Sequence, residues 1–60
     1  MNRNELKQIA KGFKTSRPEP NEESKRMQWE RDVIHVADTL RLEEKAFSNF
    51  LAAAGYGHAN

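Results

Sequence analysis

The apolar residues of this 60-residue chain fall into two periodic blocks separated by a proline-containing break. In the first block Leu6, Ile9, Ala10 and Phe13 recur at i, i+3, i+4 and i+7, which is one face of a helix. The spacing predicts a short helix over about 4–14, with Asn2 or Asn4 as N-cap. Gly12 inside it costs ~1 kcal/mol relative to Ala. Residues 15–20 hold Pro18 and Pro20, which push Arg17 and Glu19 towards extended geometry, so this stretch reads as a stiff linker. Pro20 or Asn21 opens the second block, with Asn21 the expected N-cap and Glu22 and Glu23 in its first turn.

From residue 21 to 54 there is no glycine or proline, and the apolar positions alternate by four and three. The seam runs Trp29, Val33, Val36, Leu40, Glu43, Phe47, Phe50 and Ala54, the repeat of a helix packed lengthwise on another helix. Ile34, Ala37, Ala46 and Leu51 widen the stripe on its flanks, as in a bundle helix. The pattern predicts an all-α fold in a single domain over 1–60: a short helix, a linker and one long amphipathic helix over about 21–54. The alternative is a kink or break near 38–42, with Asp38 or Thr39 capping a third helix. Neither has Glu or Gln three residues on, so no capping box supports it, although Leu42 sits off the seam. Gly55 is the expected C-cap, and Gly57 ends any continuation. The tail 55–60 is expected to be loose, with Tyr56 folded back on the last turn.

A continuous helix of this extent would be ~50 Å long and the first helix only ~16 Å. The short helix cannot cover such a seam, and large uncovered apolar patches are unusual on monomers. This predicts a helical hairpin that pairs with a second copy as a four-helix bundle, or that wraps a larger host protein. The expected interface is Trp29, Val33, Val36, Leu40, Glu43, Phe47 and Phe50. Trp29 is its natural anchor, or an ordinary core residue. Glu43, the charge on the seam, either reaches water at the edge or fixes register against Lys45 or Arg41 of a partner chain.

Composition sharpens the need for outside support. A chain this short buries only about 60% of the surface its unfolded form exposes. With no cysteine, disulfides and thiolate metal sites are excluded. His35 and His58 are too few and too far apart for a structural metal site, so no cofactor is expected. His35 could tune an interface near neutral pH or simply keep one nitrogen in water. No apolar run is long enough to span a membrane, and the opening MNRNELKQIAKGF lacks the apolar stretch of a signal peptide, so a cytoplasmic protein is expected.

The net charge of +1 hides an asymmetry. Residues 1–17 carry five basic residues against Glu5 alone, whereas residues 19–32 carry five acids against three bases. Arg3, Lys7, Lys11 and Lys14 form a stripe opposite the apolar edge of the first helix, joined by Arg17 in the linker. Such a stripe contacts nucleic-acid phosphates or an acidic protein, or is a solvated helix face. No aromatic residue interleaves it, so single-strand stacking is not suggested.

Catalytic signatures are missing from the pattern. The carboxylates are scattered, Ser16, Ser24 and Ser48 have no neighbouring histidine, and no Gly-rich phosphate loop occurs. No enzyme activity and no small-molecule substrate are expected. The segment LEEKAFSNFLAAAGY has the look of the first helix and turn of a helix-turn-helix domain, but only GHAN follows where a recognition helix belongs. As a whole, the pairing of ELKQIAKGF with ERDVIHVADTLRLEEKAFSNFLAAAGY in a cysteine-free chain resembles the short helical accessory proteins of temperate, lambda-like phage early regions. That resemblance implies host or developmental control exerted through protein contacts. The expected function is thus a helical protein-interaction module that regulates a partner, with nucleic-acid binding through the basic stripe as the alternative.

Overall fold

A computed structural model describes residues 2–56. They form three helices: α1 (Arg3–Thr15), α2 (Glu23–Thr39) and α3 (Glu44–Ala53). The all-α class and the separation of a first helix from the rest agree with the sequence pattern. Of the expected tail, residues 57–60, with Gly57 and His58, lie outside the described residues.

Helix α1 begins with a complete capping box. The Glu5 amide donates to Asn2 Oδ1 at 2.8 Å, and the Asn2 amide donates to Glu5 Oε1 at 3.3 Å. Two otherwise unpaired donors are thereby satisfied reciprocally, which fixes Asn2 as the N-cap. Ala10 is buried, and Leu6, Ile9 and Phe13 pack half-buried on the core, as their spacing requires. Helix α2 starts later than expected. Residues 20 and 21 form a turn, and Glu22, not Asn21, is the N-cap. The Glu22 side chain accepts from the Glu19 amide at 3.2 Å and from Lys25 Nζ at 3.1 Å, which holds the turn onto the first helical residues.

The long helix expected over 21–54 is not continuous; the break lies at Leu40–Glu43. Leu40 is the C-cap of α2, and Arg41 enters the left-handed region at φ 54° while its amide donates to the Asp38 carbonyl at 3.1 Å. Thr39 Oγ1 donates to the His35 carbonyl at 2.8 Å, a local bond that competes with the backbone ladder. A non-glycine residue in this conformation costs ~1–2 kcal/mol. Burying one large apolar side chain returns ~1.5–3 kcal/mol. The break turns α3 so that Phe50 and Ala54 are buried in one cluster with Trp29, Val33 and Ala37. Burial therefore outweighs the local cost. Leu42, off the seam of a continuous helix, packs half-buried on that core.

The C-terminal ends of α1 and α3 meet. Phe13 and Phe50 pack edge to face with ring centroids 6.4 Å apart. Helix α3 closes with paired C-terminal bonds: the Gly55 amide donates to the Ala52 carbonyl at 3.1 Å and the Tyr56 amide to the Leu51 carbonyl at 2.9 Å. Gly55 has φ 82°, which a residue with a Cβ adopts only under strain. Tyr56 leaves the last turn of α3 and stacks on Trp29, centroids 6.5 Å apart.

Candidate interaction surfaces

The seam is largely used up inside the single chain. Val33 has no exposed surface, Phe50 is 2% exposed and Trp29 is 6% exposed. Val36, Leu40 and Phe47 are half-buried against the same core. Trp29 also has a polar role: its Nε1–H donates to the Phe13 carbonyl at 2.9 Å, satisfying an acceptor in the last turn of α1. Ser16 Oγ donates to the same oxygen at 3.2 Å. Three of the seven expected interface residues, Trp29, Val33 and Phe50, are covered by the chain itself. Glu43 does not lie along a continuous helix. It is exposed in the turn as the N-cap of α3, with extended backbone and no side-chain bond to the first helical turn.

The basic residues divide. Arg3, Lys7, Lys11 and Lys14 are exposed along α1, as the stripe requires. None joins an ion pair among the described residues, where Lys25 with Glu22 at 3.1 Å is the pair formed. Arg17 leaves the stripe. Its guanidinium carbon sits 5.6 Å from the centroid of the Trp29 ring, a cation–π contact that covers the indole.

Two concave surfaces remain. The first, about 440 Å³, lies between α1 and α3. Its apolar lining is Leu6 and Ala10 from α1 with Ala46, Phe50 and Ala53 from α3. Arg3, Lys7 and Lys45 stand around it, with Glu43 the lone acid and Asn49 a neutral polar group. Each wall is a helical face: 3, 6, 7, 10 on α1 and 46, 49, 50, 53 on α3 share the i, i+3, i+4, i+7 spacing. The second surface, about 460 Å³, lies along α2 beside Tyr56. It includes Met27, which among the described residues is the most exposed large apolar side chain at 56%, with Ile34 and His35. Its charges are of both signs, Glu30 and Asp38 with Arg31.

The α1–α3 groove is not visible in the sequence, because a single long helix over 21–54 puts Ala46 on the flank of its seam and Lys45 opposite a partner's Glu43. The small residues on α3 were its available signal. No group of three or more metal-ligating side chains occurs among the described residues, and no helix there is long and apolar enough to cross a membrane. Compared with known proteins, the chain matches no family model, no curated protein and no solved structure.

Proposed function

We propose that this chain is a non-enzymatic helical interaction module that regulates another protein by binding it. The observation that carries this reading is the α1–α3 groove: an apolar concavity with a basic rim that stays open after Trp29, Val33 and Phe50 have closed the core. Concave, mostly apolar sites with a few placed polar groups are the usual form of a binding surface. The resemblance to phage early-region accessory proteins would make the partner a host protein, and the lack of a signal-like apolar stretch suits a cytoplasmic setting. The chain buries Trp29, Val33 and Phe50 of the seam by itself, which weakens the case for pairing with a second copy.

Affinity capture from the native host with the full chain as bait tests this reading. The expected result is one protein retained in near-stoichiometric amount after nuclease treatment and a moderate-salt wash. Retention of nucleic acid alone would defeat it. That second reading, a nucleic-acid accessory protein, is favoured by the four exposed and unpaired basic residues Arg3, Lys7, Lys11 and Lys14. Binding to duplex DNA across a salt series, lost in the Lys7/Lys11/Lys14→Ala variant, would support it.

A further inference from the structure

Resting on the interaction-module reading, we propose that the α1–α3 groove takes an acidic amphipathic helix of another protein. Charge selects the sign of the occupant. Arg3, Lys7 and Lys45 border the groove, none is neutralised by an ion pair among the described residues, and Glu43 is the one acid facing them. An occupant with carboxylates flanking its apolar face gains three attractive contacts, and a basic one meets three like charges.

Shape selects a helix. Both walls are two-turn helical faces, each spanning ~10 Å at 1.5 Å per residue. A third helix laid between them buries the apolar face on both sides, and with α2 behind α3 it completes a four-helix arrangement. Ala46 and Ala53 leave α3 without bulk along the groove, so the occupant's backbone can approach closely and its own large side chains must fill the space. The partner segment should therefore present Leu or Phe at i, i+3 or i+4, and i+7, with Asp or Glu beside them.

The test uses the full chain and three fluorescent probes. One is a short helical peptide with Leu and Phe anchors flanked by Glu, the second is the same peptide with Lys for each Glu, and the third is a short DNA duplex. The Glu peptide is expected to bind saturably, to weaken as salt rises, and to bind roughly tenfold or more tightly than the Lys peptide. The exposed-site variant Lys7→Glu/Lys45→Glu should reverse that preference. Ala53→Glu, which places a charge in the groove without touching the buried cluster, should abolish binding while leaving the circular dichroism melt in place. Equal binding of the two peptides, or binding indifferent to these variants, overturns the proposal. So does duplex binding that survives Ala53→Glu while the Glu peptide fails. A concentration-dependent dimer that dissolves with Ala53→Glu would give the groove to a second copy and overturn it too. If host capture succeeds and the Glu peptide does not bind, the interaction-module reading stands and this assignment of the groove falls.

Discussion

The two ends of the α1–α3 pair are built from different residues. At their C-terminal ends Phe13, Phe50, Trp29 and Tyr56 meet, the indole N–H bonds the Phe13 carbonyl, and Arg17 lies over the ring. At the other end Leu6, Ala10 and Ala46 line the space between the helices, and Arg3, Lys7 and Lys45 surround it. The first end is closed by large rings, with the indole N–H paired to the Phe13 carbonyl; the second stays open because Ala10 and Ala46 are too small to fill it. In a chain with few large apolar residues, placing the aromatics at one end both makes the core and leaves a surface at the other.

Substitution at the closed end should have the largest effect. Trp29→Ala removes a buried ring, a hydrogen bond to the end of α1 and the platform for Arg17 and Tyr56. It should cost ~3–5 kcal/mol, about the whole stability that a core this size supplies. Urea denaturation followed by far-UV circular dichroism should find the variant largely unfolded. In the groove, at the exposed last residue of α3, Ala53→Glu should shift the same midpoint by no more than ~0.5 kcal/mol. Comparable losses at the two positions would erase the distinction between them.

Helix α1 is shared by both ends, so stiffening it should help both. A Cβ at Gly12 would meet nothing within 4 Å, and the residue lies within an α-helix. Gly12→Ala should raise stability by ~0.5–1 kcal/mol in the same denaturation experiment. The smallest effect belongs to the turn before α2. Lys25 and the Glu19 amide hold the Glu22 carboxyl below its ordinary value of 4.5. A lowered folded pKa contributes stability above the unfolded value and loses it as pH falls through the folded one. Thermal melts of the native chain should therefore show a slight loss of stability on acidification below about pH 4.5. Glu22→Gln should remove that part of the acid dependence and leave both ends of the α1–α3 pair as they are.

Much of the fold was legible in the sequence. The Leu6, Ile9, Ala10 and Phe13 spacing marked the docked face of α1, Asn2 was one of the two N-caps the sequence offered, and Gly55 took the left-handed conformation at the end of α3. The break at residues 40–43 was not legible as the favoured reading, for a physical reason. Helix ends announce themselves through a Ser, Thr, Asp or Asn cap and through glycine after the last turn. Here the residue in the left-handed conformation is Arg41, and the N-cap of α3 is Glu43, whose side chain bonds nothing in the first turn. Tertiary burial sets this turn against local preference. Leu42, off the seam, was the one local hint. The candidate groove stayed hidden with the break, since its α3 wall faces α1 only once the helix turns back. The basic stripe was legible as far as Lys14. Arg17 left it because a linker side chain can reach the Trp29 ring, which helical spacing does not encode.

Closure of the seam within one chain depends on the turn at Arg41, and the stability of Arg41→Gly reports on that turn. Glycine adopts φ 54° without the penalty of a Cβ. The turned structure predicts a gain of ~1 kcal/mol, with a urea midpoint that does not depend on protein concentration. In a continuous helix paired with a second copy, the same glycine would cost ~1 kcal/mol, and the midpoint would rise with concentration. A destabilised, concentration-dependent Arg41→Gly variant would contradict the account.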